Sequence, residues 1–146
     1  MTGWRLGFAA GNAELVQSLL TVKSNLDSGV PQAIQYMGIE ALKKSSKFLQ
    51  ENNAIYERRR NKLVKALREI GLEVPLPKAG LYLWCKIPDG YTSGQFTELL
   101  LEKCDVVVTP GTGYGSFGEG FVRLSLTTPD YLVDEGVERI SKWNSG

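Results

Sequence analysis

The sequence predicts an α/β fold in which helices cover a small sheet. From residue 46 onward the local patterns follow the order helix, strand, strand, helix, strand, strand, helix, which is typical of helices packed on a sheet. Residues 121–127 alternate between apolar and polar side chains, as in a strand with one buried face. With 146 residues, of which 42% are hydrophobic, the chain is long enough to bury a core.

Residues 1–45 are predicted to form a unit of their own. Residues 4–10 have the pattern of a short strand ended by Gly11, and Asn12 is a suitable N-cap for the helix that follows. Pro31 suits the first position of a second helix. One strand and two helices cannot close a core alone, so we expect a boundary between residues 45 and 46, with residues 1–45 mobile or packed against another chain.

Residues 46–146 contain the remaining elements. Each has its own signal, which is a helical apolar stripe, an N-cap or a short run of strand-forming residues. In order, we expect a helix over 46–70 ended by Gly71, an edge segment over 73–76, a strand over 81–87, a helix capped by Thr92 and Gln95, strands over 106–108 and 121–127, and a final helix that starts at Thr128-Pro129-Asp130.

The composition excludes several classes of protein. The chain has no His, so we expect neither a histidine-containing zinc site nor a Ser-His-Asp or Cys-His hydrolase. Cys85 and Cys104 are expected to be buried thiols of a cytoplasmic protein. No segment resembles a signal peptide or reaches the roughly 20 apolar residues of a membrane span. The net charge is +1 and acidic residues dilute the basic run Arg58-Arg59-Arg60, so neither nucleic acid nor membrane is an expected partner.

A glycine-rich stretch over 111–120 contains a literal G-x-G-x-x-G at Gly113, Gly115 and Gly118. In a dinucleotide-binding site this motif opens a helix, whose N-terminus receives the pyrophosphate. Here the chain is predicted to enter a strand instead. A turn between two strands is therefore the better interpretation, although such a loop can also border a ligand site.

Two arginines are candidate ligand-binding residues. Arg123 stands in the middle of the strand over 121–127, where a guanidinium is costly without an anionic partner. That partner is either a carboxylate of the chain itself or a ligand carboxylate that the guanidinium fork binds. Arg5 lies between Gly3 and Gly7, where either a phosphate dianion or an ordinary surface environment is compatible with the residues.

Four segments occur in an order known from one enzyme family: 1–7, 78–84, 107–111 and 117–125. They resemble segments of the fold type I pyridoxal-phosphate aminotransferases, the aspartate aminotransferase superfamily of classes I and II. Met1-Thr2-Gly3-Trp4-Arg5-Leu6-Gly7 resembles the segment that directly follows the Schiff-base lysine of that family. Residues 23–30 and 90–93 are most similar to bacterial LL-diaminopimelate aminotransferases and their aspartate or alanine aminotransferase relatives.

This resemblance implies a fold, a reaction and roles for both arginines. Residues 1–45 would end the large cofactor-binding domain, and residues 46–146 would form the complete small domain of a cytoplasmic homodimer. Arg5 would bind the phosphate of pyridoxal 5'-phosphate, and Arg123 would bind the α-carboxylate of the amino-acid substrate. The reaction would move an amino group between an amino acid and a 2-oxo acid, with LL-diaminopimelate and 2-oxoglutarate as the expected pair.

The resemblance also implies a missing residue. The family's Schiff-base lysine stands directly before the segment that matches Met1, and no lysine of this chain stands at the matching position. We therefore assign no catalytic residue and expect the chain alone to be inactive. Two alternatives stay open, a non-catalytic α/β interaction module in which Arg123 forms an internal ion pair, and a stand-alone half that complements a separate N-terminal chain.

Overall fold

In the computed structural model, which describes residues 1–144, the chain divides into two compact units, the first being Met1–Gln50 and the second starting at Glu51. The predicted boundary between residues 45 and 46 stays a prediction, and residues 145 and 146, at the end of the predicted second unit, lie outside the described residues. None of the helices within 1–144 has the length and apolar character that crossing a bilayer requires. The elements are α1 (Ala13–Ser24), α2 (Gln32–Lys43), α3 (Ser45–Glu69), β1 (Tyr82–Lys86), α4 (Ser93–Cys104), β2 (Thr109–Pro110), β3 (Phe121–Ser125) and α5 (Asp130–Asn144).

The first unit is mainly helical. As predicted, Asn12 caps α1, because its side-chain oxygen accepts hydrogen bonds from the N–H groups of Glu14 (2.9 Å) and Leu15 (3.2 Å). The predicted strand over 4–10 is wrong, since Thr2–Trp4 forms a 3₁₀ turn and a strand does not follow it. A strand needs a neighbour for its backbone groups, and among residues 1–144 no strand pairs with this segment.

Large apolar side chains of the first unit remain exposed. Phe8 is 83% exposed, and Leu15 and Leu20 of α1 are 72% and 56% exposed. Monomeric domains rarely expose apolar surface on this scale. The first unit thus presents a surface of the kind that other protein normally covers.

Three antiparallel strands form the sheet of the second unit, in the order β1-β3-β2. The predicted edge segment is confirmed at Glu73, which exchanges two backbone hydrogen bonds with Lys86 (3.0 and 3.1 Å). The predicted strand over 106–108 is wrong, and pairing starts at Thr109. The N–H of Val106 donates to the carbonyl of Leu100 (3.2 Å), so the backbone here closes the end of α4 instead of joining the sheet.

The core lies between one face of the sheet and helices α3, α4 and α5. This arrangement confirms the predicted α/β fold with helices covering a sheet. Cys85 and Cys104 are free thiols buried in this core, as predicted, and burial raises the pKa of Cys85 to about 12. The core side chains of the helices and strands are Leu63, Val64, Ala66, Leu67, Leu83, Cys85, Phe96, Leu100, Cys104, Val122, Leu124, Val133 and Ile140. The segments between these elements add Leu72, Val74, Ile87, Val108 and Leu126.

Basic side chains of α3 pair with acidic side chains of α5. Arg58 and Arg59 both donate to the carboxylate of Asp130, and Lys62 pairs with Asp134. The basic run in α3 therefore has acidic partners within the second unit.

The two arginines make the contribution of Asp130 to stability depend on pH. Their hydrogen bonds, first that of Arg59 and then that of Arg58, hold the pKa of Asp130 below its usual 3.8. A carboxyl group with a lowered pKa in the folded state stabilises the fold above its unfolded-state pKa, and this contribution is lost as the pH falls through the folded-state pKa. We expect Asp130→Asn to be less stable than the wild type at about pH 6, and to lose less stability than the wild type below about pH 4.

Urea unfolding at a series of pH values measures this difference. The control is Asp89→Asn, which neutralises an exposed carboxylate in the loop before α4 that forms no ion pair within residues 1–144. The control should follow the wild type at both ends of the series. Equal stability of Asp130→Asn and the wild type at about pH 6 would count against the stabilising role of this pair.

Candidate functional site

The sheet has one buried face and one open face. Successive side chains of β1 and β3 point to opposite faces, and the buried set packs against the three helices. The other set points away from the core and is joined by a tyrosine from the turn after β2. We call this surface the open face. It includes Tyr82, Trp84, Tyr114, Phe121 and Arg123, with Lys86 and Ser125 at the ends of the two strands.

Arg123 lies at the centre of the open face, opposite Trp84 of β1 and Thr109 of β2. Its guanidinium carbon is 4.2 Å from the ring centroid of Tyr82 and 4.6 Å from that of Tyr114. Within residues 1–144 no carboxylate pairs with it, and its Nε is buried without a hydrogen-bond partner. The sequence left two partners open, a carboxylate of the chain itself and a ligand carboxylate. The described residues place no carboxylate on Arg123, which favours the ligand.

Two further rings complete the surroundings of this guanidinium. Trp84 stacks on Phe121 with a centroid distance of 5.5 Å and an interplanar angle of 18°. Trp84 also meets Tyr114 edge-on at 5.8 Å. Charge-assisted hydrogen bonds are stronger where water is partly excluded. The aromatic rings around Arg123 would therefore strengthen a hydrogen bond between its guanidinium and an anion bound on the open face.

The glycine-rich stretch determines where Tyr114 lies. It forms two 3₁₀ turns, Gly111–Tyr114 and Ser116–Gly118, and then enters β3. As predicted, it does not open an α-helix, so the dinucleotide interpretation stays rejected. The two turns pack backbone against backbone at Gly111 and Gly118, with no room for a side chain at either position. This packing fixes the turn that places Tyr114 beside Arg123.

A buried hydroxyl connects the start of α4 to the same stretch. The Oγ of Ser93 accepts hydrogen bonds from the N–H groups of Gly120 (2.9 Å) and Phe121 (3.2 Å). The carboxylate of Glu119 accepts from the N–H groups of Ser93 (2.7 Å) and Gly120 (3.0 Å), and these donors hold the pKa of Glu119 below its usual value. Neither Ser93 nor Glu119 was predicted, although the capping box of Thr92, which the structure confirms, marks Ser93 as the first helical residue.

Arg5, the second candidate, belongs to the first unit. It directly follows the 3₁₀ turn and has a φ of 55°, in the left-handed region that is uncommon for residues other than glycine. It is exposed and forms no hydrogen bond or ion pair within the described part of the chain. Gly3 and Gly7 have open space where a side chain would stand. The guanidinium of Arg5 is therefore available to an anion.

Known proteins match nearly the whole chain. A family model described as aminotransferase class I and II matches residues 1–140. An LL-diaminopimelate aminotransferase from Dehalococcoides mccartyi is 55% identical over 145 residues, which are 99% of this chain and 37% of that protein. One from Halothermothrix orenii is 46% identical over 140 residues, or 96% of this chain and 36% of that protein. The chain thus spans little more than a third of the length of these curated relatives.

Solved structures match the fold over the same extent. An aromatic aminotransferase from Pyrococcus horikoshii OT3 superposes with a TM-score of 0.82 at 36% identity, covering 97% of this chain and 39% of that one. An aminotransferase from Staphylococcus aureus gives a TM-score of 0.84 at 32% identity, covering 99% of this chain and 39% of that one. Sequence and fold are therefore both similar to those of aminotransferases.

Proposed function

The chain belongs to the class I and II aminotransferase family, and from this premise we propose that it is the C-terminal part of an enzyme that moves an amino group between an amino acid and a 2-oxo acid. The observation that most favours this function is Arg123, whose unpaired guanidinium stands among aromatic rings on the open face. Both substrates of such a reaction have a carboxylate next to the reacting carbon. One carboxylate-binding arginine can therefore orient the amino acid and the 2-oxo acid in turn.

The substrate pair that we propose is LL-diaminopimelate and 2-oxoglutarate, in lysine biosynthesis. The names of relatives at 55% and 46% identity support this amino donor. LL-diaminopimelate has an amino-acid group at each end, and Arg123 would bind the carboxylate of the reacting end. L-aspartate and L-alanine are the competing amino donors. The rates of the complete enzyme with each of the three donors distinguish between them.

Pyridoxal 5'-phosphate is the cofactor that the family implies, and we assign the binding of its phosphate to Arg5. The exposed guanidinium of Arg5, unpaired within residues 1–144, and the open space at Gly3 and Gly7 fit a phosphate dianion. The cofactor, when bound, supplies the electron sink for amino transfer. The contribution of this chain is to bind and orient charged groups, through Arg5 at the phosphate and Arg123 at the substrate carboxylate.

For the complete enzyme we propose that residues 1–45 end the large domain, that residues 46–146 form the small domain, and that the protein is a cytoplasmic homodimer. The exposed apolar side chains of the first unit support this organisation, because a large domain would cover them. The proposed partners are the two substrates and a second subunit, with neither nucleic acid nor membrane among them.

The 146-residue chain by itself is expected to transfer no amino group from LL-diaminopimelate to 2-oxoglutarate, even with added pyridoxal 5'-phosphate. The chain spans 37% of its D. mccartyi relative, and the family resemblance puts the cofactor lysine before the segment that matches Met1. Glutamate formation measures the reaction. Adding the separately purified N-terminal part of the relative should restore both the visible absorbance of the cofactor and turnover. Glutamate formation by the chain alone would contradict the proposal.

A further inference from the structure

Two tyrosines from different parts of the fold meet at Arg123. Tyr82 lies on β1 opposite Ser125, two positions along β3 from the arginine. Tyr114 ends the 3₁₀ turn that follows β2. Their ring centroids lie 4.2 and 4.6 Å from the guanidinium carbon. Both rings therefore contact the charged group itself rather than the aliphatic part of the side chain.

An aromatic ring stabilises a guanidinium differently from a carboxylate. The negative face of the ring attracts the cation, but it neither occupies the N–H donors in strong hydrogen bonds nor cancels the positive charge. An internal carboxylate would do both, and the arginine would then have little left for a ligand. With Tyr82 and Tyr114 as neighbours, Arg123 stays in place on the sheet while its charge and its Nη donors remain available.

The nitrogen atoms of Arg123 are not equally accessible. Nε is closed off from solvent and has no hydrogen-bond partner, whereas neither Nη atom is buried in this way. A carboxylate can bind a guanidinium side-on, through Nε and one Nη, or end-on, through the two Nη atoms. Only the end-on approach is open without a movement of the chain.

We propose that Tyr82 and Tyr114, the tyrosine pair, are positioning residues that hold the guanidinium plane of Arg123, cover its Nε and present its two Nη atoms to a substrate carboxylate. This inference rests on the proposed function, in which Arg123 binds that carboxylate. The tyrosine pair acts through its rings, so the phenolic hydroxyl groups are dispensable. The pair touches the arginine and makes no contribution to the chemical step.

Hydrogen exchange of the arginine Nε–H, observed by ¹H–¹⁵N NMR on the 146-residue chain, tests the positioning role without any ligand. Arg123→Lys identifies the signal by its disappearance. We expect slow exchange in the wild type, in Tyr82→Phe and in Tyr114→Phe, and exchange about 10-fold faster in Tyr82→Leu and Tyr114→Leu. The control Tyr131→Leu removes an exposed ring of α5 and should leave the signal unchanged. Fast exchange in the wild type would overturn the proposal before any variant is made.

Titration of the same proteins with 2-oxoglutarate tests the second half of the proposal. We expect the leucine variants to bind this probe about 3- to 10-fold more weakly, and the phenylalanine variants to bind it like the wild type. Folded leucine variants with unchanged exchange and unchanged affinity would overturn the role of the tyrosine pair. Slow exchange in the wild type without binding of 2-oxoglutarate would support the positioning role of the tyrosine pair and contradict the carboxylate-binding role of Arg123. A failure of the proposed function is thus distinguishable from a failure of the positioning role.

Discussion

Replacing Gly118 by alanine is expected to destabilise the second unit by about 3 kcal/mol. A Cβ at this position would lie 2.0 Å from the carbonyl oxygen of Gly111 and 2.4 Å from its carbonyl carbon. Both are backbone atoms, so the clash cannot be relieved by rotating a flexible side chain. The two 3₁₀ turns would have to separate, and the turn that contains Tyr114 would move with them.

A matched control for this substitution lies in the same stretch. At Gly113 a Cβ would meet only the Thr109 Cγ2 atom, at 3.9 Å, which is an ordinary contact. We expect Gly113→Ala to change the free energy of unfolding by no more than about 0.5 kcal/mol. Urea unfolding followed by circular dichroism compares the two variants. If Gly118→Ala were as stable as Gly113→Ala, the backbone packing of the two turns would be refuted.

The second large effect concerns catalysis and is expected for Arg123→Lys. The assay uses a hybrid enzyme, in which this chain replaces the matching 145-residue segment of the D. mccartyi relative. Lysine keeps the positive charge but loses the planar fork that pairs with a carboxylate through two hydrogen bonds. A hydrogen bond to a charged group contributes about 1.5–3 kcal/mol, so we expect kcat/KM for 2-oxoglutarate to fall about 10- to 100-fold.

Arg139→Lys is the control for this substitution. Arg139 lies on α5 and is occupied within the chain, since it donates to the carbonyl of Asp105 (3.1 Å) and to the carboxylate of Glu135 (2.7 Å). The same change of residue type there should leave kcat/KM unchanged. An equal loss in both variants, or no loss in Arg123→Lys, would count against the carboxylate-binding role of Arg123.

Local sequence patterns predicted those parts of the fold that depend on neighbouring residues. The N-cap at Asn12, the capping box at Thr92 and the alternation around Arg123 each depend on side chains within a few positions of one another. The alternation was sufficient to place Arg123 away from the core. It could not decide between an internal carboxylate and a ligand, because that depends on which distant residues share the face.

The failures have a common physical origin in partners that are distant in the sequence. Residues 4–10 have a strand-like pattern, but a strand forms only where another strand pairs with it. The segment 106–108 consists of β-branched residues, yet its first N–H completes the end of α4. Tyr114 and Ser93 could not be predicted because their positions depend on how the glycine-rich stretch folds back on itself. The tyrosine pair is thus a product of tertiary packing rather than of local pattern.

The rate at which the hybrid enzyme forms glutamate from LL-diaminopimelate and 2-oxoglutarate tests most directly whether this chain is the C-terminal part of an aminotransferase. We predict a rate of the same order as that of the intact D. mccartyi relative, together with a large loss in the Arg123→Lys hybrid. A hybrid that folds and binds pyridoxal 5'-phosphate but transfers no amino group from LL-diaminopimelate, L-aspartate or L-alanine would contradict the proposed function.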